Sequence, residues 1–243
     1  ALLSNRFIGA RFLSLPSLMD LSGAFIVPGV NMPLLQLLSL AAIVSTIGLF
    51  LCGIPICQTI SSRGSTDGIS AAPFLLGTIG CFFWLRYGLF KDDRTVLIVN
   101  GIGFVLQTSY LTYYHTYTRN KTTLNRQILL ICTLAGAMVW YIYLYSTLAD
   151  VAISHLGLMC MTLNILGFAA PMAGLRDVLR TKSTENLPLP LIVANLIVSV
   201  LWFSYGTLIE DFNIRFPNSI GIFLALTQIS LFVIYPRRRI HHG

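Results

Sequence analysis

Four side chains in this sequence have the chemistry to hold a small polar solute: Trp84 and Asn100 in the first half, Trp202 and Asn218 in the second. An indole offers a flat apolar face to the apolar face of a sugar-like ring, and a carboxamide both donates and accepts, which suits hydroxyls. Trp84, Tyr87 and Gly88 fall at i, i+3 and i+4 and so share one helix face. The charged turn Lys91-Asp92-Asp93-Arg94 follows, with Trp84 about six residues before it and Asn100 about six after it. At about 1.5 Å per residue, both side chains lie roughly 9 Å below one surface. Trp202 and Asn218 repeat that depth in the second half. An amide in hydrocarbon costs several kcal/mol unless it is paired, and the plain alternative is that each Asn binds helix to helix. Two matched amides at the level of two matched indoles favour a site.

The elements that position these residues are membrane helices. Charged residues make up only 10% of the 243 residues and apolar ones 55%, against about a quarter charged in an ordinary soluble domain. Seven apolar stretches are long enough to cross a hydrocarbon core of about 30 Å: near 34–57, 71–90, 95–117, 127–147, 154–176, 188–209 and 214–235. Backbone groups in lipid must be satisfied internally, and the alternating ten-residue segments of a β-barrel are absent, so the spans are helices.

The chain also repeats itself at an offset of 118 residues. Ile47 and Phe50 meet Ile165 and Phe168, and Ser65-Thr66-Asp67 meets Ser183-Thr184-Glu185. Trp84 meets Trp202, Tyr87-Gly88 meets Tyr205-Gly206, Asp93 meets Asp211, and Asn100 meets Asn218. Such self-similarity indicates duplication. The fourth span has no counterpart. Three crossings reverse direction, so the extra crossing makes the two copies parallel, about an axis along the membrane normal, with the solute path between them. The fold expected is an all-α integral membrane protein of seven transmembrane helices in a 3+1+3 arrangement. Its parts are an N-terminal extension outside the repeat (1–33), a first three-helix bundle (34–117), a linker helix with its loops (118–152), a second bundle (153–236) and a basic tail (237–243).

Lys and Arg set the orientation. One side carries ten, including Arg119, Lys121, Arg126, Arg176, Arg180, Lys182 and Arg237 to Arg239, and the other five. The basic side, with the C-terminus, is expected to be cytoplasmic and the N-terminus outside or lumenal. This asymmetry accounts for much of the net charge of +7 without nucleic acid. Asn120-Lys121-Thr122 reads as a glycosylation sequon but falls on the cytoplasmic side, so no glycan is expected there. The five cysteines lie in apolar spans without metal spacing, and no metal or cofactor is expected. Few ionisable groups lie within the spans, which favours passive carriage. Arg86 is the exception, read either as snorkelling to the interface or as paired with Asp92, Asp93 or Glu210.

Gly-Ile-Pro-Ile-Cys at 53–57, Ser65-Thr66-Asp67-Gly68, Trp84-Leu85-Arg86-Tyr87-Gly88-Leu89 and Val99-Asn100-Gly101-Ile102-Gly103 resemble the first half of a SWEET sugar transporter. Pro171, Thr181-Lys182-Ser183-Thr184-Glu185, Trp202-Phe203-Ser204-Tyr205-Gly206 and Pro217-Asn218-Ser219-Ile220-Gly221 resemble the second, so that roughly 34–236 is covered. The resemblance implies a facilitative, energy-independent, bidirectional uniporter working by alternating access. Asn100 and Asn218 would hydrogen-bond the sugar, Trp84 and Trp202 would pack on it, and Tyr87 and Tyr205 would stand at the extracellular gate. The family's hinge prolines fall on Pro73, Pro171 and Pro188, and the fourth position falls on Gly53, with Pro55 two residues later. A proline loosens a helix by removing a backbone donor; glycine is flexible without the fixed kink.

Two indoles leave a narrow cavity, so a glucose-like monosaccharide is expected over a disaccharide. The expected surroundings are membrane lipid, in the plasma membrane or else the Golgi or another endomembrane, and a homo-oligomer is compatible with the sequence. The nearest alternative is a PQ-loop-type carrier of another small polar solute such as an amino acid, although no Pro-Gln dipeptide occurs. A seven-helix receptor would not predict a tandem repeat, and no enzyme is expected, because no base–nucleophile pair is visible.

Overall fold

The computed structural model describes residues 32–144 and 149–235, and the described residues are helical throughout apart from short turns. Residues 1–31 and the basic tail lie outside them. The helices are α1 (Met32–Phe50), α2 (Gly53–Arg63), α3 (Ala72–Lys91), α4 (Arg94–Tyr117), α5 (Lys121–Leu144), α6 (Ala149–Gly167), α7 (Ala169–Thr181), α8 (Leu189–Leu208) and α9 (Phe212–Ile234). They form seven membrane-length spans, because α1 with α2, and α6 with α7, each make one interrupted crossing.

In each half, three crossings pack together: α1, α3 and α4 in the first, α6, α8 and α9 in the second. The lone helix α5 leans on α3 and buries little of itself, and the halves meet along α1 against α8 and α3 against α6. The result is a seven-helix membrane protein in a 3+1+3 arrangement. Its outward apolar side chains, Phe223 and Val233 among them, stay uncovered by protein, as a hydrocarbon solvent allows.

Helix ends depart from the expected spans in a consistent way. α2 runs on to Arg63 and α7 to Thr181, past the apolar runs that end near 57 and 176. An apolar run marks where lipid stops, whereas a helix stops where its backbone is capped. Gly64 (φ 62°) and Lys182 (φ 55°) supply that left-handed cap.

The two hairpins that carry the candidate residues, α3–α4 and α8–α9, turn in the same manner. Asp92 (φ 54°) and Glu210 (φ 55°) take the left-handed region. Asp93 and Asp211 then cap the following helices, with Asp93 accepting from Val96 N (3.0 Å) and Asp211 from Asn213 N (2.9 Å) and Ile214 N (3.2 Å). Gly88 and Gly206 let the helices close tightly behind each turn, because an added Cβ would stand 3.2 Å from Leu97 N in one and 3.1 Å from Arg215 N in the other.

Both interrupted crossings break just ahead of a proline that is the third residue of the new helix, Pro55 in α2 and Pro171 in α7. The ladder tightens at each break, with Cys52 N bonding Leu49 O (3.1 Å) and Phe168 N bonding Ile165 O (3.0 Å). The first break comes two residues later in the repeat frame than the second. Pro55 therefore occupies the place that the 118-residue register assigns to Gly53. Gly53 is buried, and a Cβ there would fall into the Tyr110 ring on α4.

Candidate functional site

One end of the bundle, where the α3–α4 and α8–α9 turns lie, is closed by side chains that cross between the halves. The Tyr87 hydroxyl on α3 donates to Asp211 Oδ2 at 2.7 Å and accepts from Asn213 Nδ2 at 3.0 Å. In mirror fashion, the Tyr205 hydroxyl on α8 donates to Asp93 Oδ1 at 2.9 Å and sits 3.0 Å from Thr95 Oγ1. Thr95 in turn pairs with Ser39 of α1 at 2.7 Å. Both rings are sealed, Tyr87 at 0% and Tyr205 at 1% exposure. A hydrogen bond to a carboxylate held away from water is among the stronger kinds, and these two span the interface.

Burial pushes the Asp93 carboxyl up to about 6, despite the Val96 amide and the Tyr205 hydroxyl that favour its ionised form. Asp211 has an additional partner, Lys91 Nζ at 3.4 Å, reaching from the other half.

Below the two latches lie the tryptophans. Each indole stands edge-on to the tyrosine one turn later, with ring centroids 5.5 Å apart for Trp84–Tyr87 and 5.6 Å for Trp202–Tyr205. Each indole N–H also crosses to the opposite half. Trp84 donates to Asn164 Oδ1 on α6 (3.2 Å), and Trp202 donates to Thr46 Oγ1 on α1 (2.9 Å). Both tryptophans and both tyrosines belong to one continuous buried cluster shared by the two halves.

Asn100 and Asn218 occupy matching positions on α4 and α9, about two turns beyond the capping aspartates. Each amide nitrogen donates to its own helix four residues back, to Val96 O (2.8 Å) and Ile214 O (2.7 Å). Neither carboxamide oxygen has a partner among the described residues. Neither joins one helix to another, so helix binding does not explain them here.

Several participants escaped the sequence reading. Thr46 and Asn164 are related by the same 118-residue offset but differ in type, so a search for identical pairs passes over them. A polar residue at the same depth in two otherwise apolar helices was the available signal. Asp93 and Asp211 were visible as a repeated pair, but their capping and latching roles were not. Arg86 makes no ion pair among the described residues. Its guanidinium lies over the Phe90 ring at 5.7 Å, which removes the reading that pairs it with Asp92, Asp93 or Glu210.

The other end of the bundle is built differently. α2 and α7 pack within their own halves, against α4 in the first and α9 in the second. Pro55, Pro73 and Pro188 are exposed and Pro171 half-buried. Pro73 lies in the first turn of α3 and Pro188 caps α8, positions where no helical hydrogen bond is lost. Pro171 O instead accepts from Gln228 Nε2 at 3.0 Å within the second half.

Comparison with known proteins agrees with this architecture. The family described as "Sugar efflux transporter for intercellular exchange" matches the chain twice, over residues 36–122 and 154–240. The chain is 46% identical over 204 residues to the sugar transporter SWEET1 of Caenorhabditis elegans, covering 84% of this chain and 67% of that one. It is 39% identical to SWEET1 of Drosophila pseudoobscura pseudoobscura, covering 84% and 90%. A solved structure of a eukaryotic SWEET transporter superposes with a TM-score of 0.76 at 28% identity, covering 83% of this chain and 96% of that one. With a twice-matched family pattern, a latched pair of parallel hairpins and relatives aligned over most of its length, this chain belongs to the SWEET family of sugar transporters.

Proposed function

We propose that the protein is a facilitative, bidirectional uniporter that moves a monosaccharide, glucose-like in size, by alternating access. The observation that carries this reading is the pair of latches, Tyr87–Asp211 and Tyr205–Asp93, which tie the halves together at the turn end. The cross-half hydrogen bonds described above all lie between the turns and the tryptophan level. Among the described residues no hydrogen bond or ion pair ties α2 to α7, which supports reading this geometry as a state shut at the turn end and open at the other.

The solute would sit between the halves below the latches. Trp84 and Trp202 supply apolar faces, and the unpartnered oxygens of Asn100 and Asn218 accept from sugar hydroxyls. Thr46 and Asn164 exchange their indole hydrogen bonds for sugar hydroxyls or hold the indoles in place. All six side chains are uncharged, which suits a neutral polyol. Transport then needs the latches to part while α2 and α7 come together. The interruptions ahead of Pro55 and Pro171 are where those halves bend, with the first turns at Pro73 and Pro188 accompanying them; Gly53 allows the close approach of Tyr110.

The proposed orientation puts the turn end outside the cell or in a lumen and the C-terminus in the cytoplasm, in the plasma membrane, following the distribution of Lys and Arg. The two bundles are assigned to 34–117 and 153–236, joined by 118–152. The test is uptake by liposomes holding the purified protein, with labelled hexose and sucrose compared at two external pH values. Hexose entry faster than sucrose, with counterflow and no accumulation against a gradient, is the expected result. Faster sucrose entry overturns the size argument, and pH-driven accumulation overturns the uniport.

A further inference from the structure

The face of α6 that turns away from the bundle departs in polarity from its counterpart in the first half. On α1 the stripe Leu37, Leu40, Ala41 and Val44 is apolar throughout, and the two leucines and the valine are exposed. The residues 118 positions later, on α6, are His155, Leu158, Met159 and Thr162. Their spacing of i, i+3, i+4 and i+7 puts them on one helix face, and His155, Leu158 and Thr162 are exposed in the same way. A polar side chain turned to hydrocarbon costs free energy unless its hydrogen bonds are met. Thr162 meets its own by donating to Leu158 O at 2.8 Å. His155 does so only in part.

That stripe forms one wall of a cleft of about 390 Å³, and Met138 and Tyr141 on α5 form the other. α5 and α6 each pack on α3 but not closely on one another, so the cleft lies between them on the lipid-facing side. The Tyr141 hydroxyl pairs with His155 Nδ1 across it, and the two ring centres stand 5.6 Å apart. Nε2 of the same imidazole has no partner among the described residues. In either tautomer it is left to donate or to accept, and a hydroxyl can meet it in both. No lining residue is a lysine, an arginine or an acid, so the cleft offers a phosphate no counter-charge.

Depth selects the occupant. His155 comes six residues after the start of α6 at Ala149, about 9 Å along the helix. Trp140, beside Tyr141, is 63% exposed, as suits an aromatic side chain at the membrane–water interface. From His155 to Thr162 the cleft runs inward for two turns, about 10 Å. We infer that this cleft binds a membrane sterol, with the sterol hydroxyl at His155 Nε2 and the fused rings laid along Leu158, Met159 and Met138. One neutral hydrogen-bonding group at the interface, above a straight apolar wall, matches a single hydroxyl on a rigid apolar body. Methionine side chains adapt to the irregular outline of such a body. A phospholipid would instead bring its phosphate to a place without a cation. The sterol fills the gap between the linker helix and the second half.

The test places the full chain in phosphatidylcholine nanodiscs with a cholesterol analogue that carries a diazirine on its rings. Irradiation and peptide mapping are expected to find the adduct on residues 138–141 or 155–162, and unlabelled cholesterol is expected to suppress it. The same hydrocarbon without its hydroxyl should compete about fivefold less well, the worth of one hydrogen bond. His155→Leu, which installs the residue that the first half has at this place, should lower labelling by a similar factor. Leu158→Trp, which fills the cleft, should abolish it. Cholesterol should also raise the unfolding midpoint of the parental protein saturably, with His155→Leu needing about fivefold more sterol for the same rise.

Labelling spread over every lipid-facing helix and not suppressed by cholesterol means bulk lipid contact only and overturns the inference. Suppression by excess phosphatidylcholine as strong as by cholesterol makes the occupant an acyl chain and overturns it too. Labelling seen in nanodiscs that hold one copy of the chain and lost in those that hold two assigns the face to a second copy, with the same consequence. The competition on the parental protein decides the matter even if a variant does not fold. No readout here involves sugar, so its failure leaves the transport reading untouched.

Discussion

Asp93 offers a quantitative test of the closed end. Its carboxyl is 2% exposed, held by Val96 N and the Tyr205 hydroxyl, and raised by burial from an ordinary 3.8 to about 6. When the turn end opens, the carboxyl regains water and returns toward its ordinary value. A group that binds its proton more tightly in the closed state favours closure fully below about 3.8, and that contribution is lost as the pH rises to about 6. The interval corresponds to about 3 kcal/mol at most, or roughly a hundredfold in the ratio of open to closed protein. The open state keeps part of the protein around the carboxyl, so the observed span should be smaller. The distance between spin labels on Leu89→Cys and Thr207→Cys, both exposed positions at the turn end, recorded by double electron–electron resonance from pH 4 to 8 in nanodiscs, should show opening that increases up to about pH 6 and then levels. Asp93→Asn keeps an oxygen for Tyr205 and for Val96 N but cannot ionise, and it should flatten the profile. If Asp93→Asn retains the parental profile, or if acid opens the parental protein, the reasoning is refuted.

The remaining tests concern the site and the packing beneath it. Asn100→Ala and Asn218→Ala are each expected to abolish liposome uptake while leaving a monodisperse protein whose stability falls by only about 1 kcal/mol. Each amide nitrogen bonds only a carbonyl of its own helix, so normal uptake by both variants would make the assigned site wrong. Gly53→Ala places a methyl in the Tyr110 ring and is expected to lower the unfolding midpoint, with a cost of about 1–3 kcal/mol from overpacking. An unchanged melting curve would mean that α2 and α4 are not held this closely.

The seven crossings were legible because long apolar runs and few charges leave a chain no alternative in lipid, and the repeat gave their grouping. The Trp and Asn positions were legible because identical residues recur at one offset. What crosses between the halves was not. Trp84 finds Asn164 and Trp202 finds Thr46 only once α3 packs on α6 and α8 on α1, and pattern within one helix has no term for that. The place of the helix interruption was not legible for a different reason. A rigid offset of 118 puts Gly53 opposite Pro171, but the break follows the missing amide of Pro55, and the chain shifts the break by two residues to meet it.

The departures from symmetry divide into two kinds, and the division says where the halves differ in function. Some are compensated in volume. Ser39 reaches Thr95 in the first half, and in the second the larger Asn213 is met by Gly157, where a Cβ would strike its amide. Likewise Tyr110 fills the space over Gly53, whereas the shorter Gln228 donates to the carbonyl of Pro171. In both cases a change on one helix is answered by an opposite change on its neighbour, so the shape of the two halves is preserved. The exchange of Lys91 for Ile209 is of another kind, since it changes charge and not only volume. Burial raises the Asp93 carboxyl to about 6, while Asp211 has the Lys91 ammonium at 3.4 Å. The latches are thus alike in geometry and different in electrostatics. On the alternating-access reading proposed above, both part when the turn end opens, and the Asp93 latch is the one expected to respond to protons. The halves are thus matched in shape and differ in the surroundings of their two carboxylates, so the pH effect on opening should be removed by Asp93→Asn.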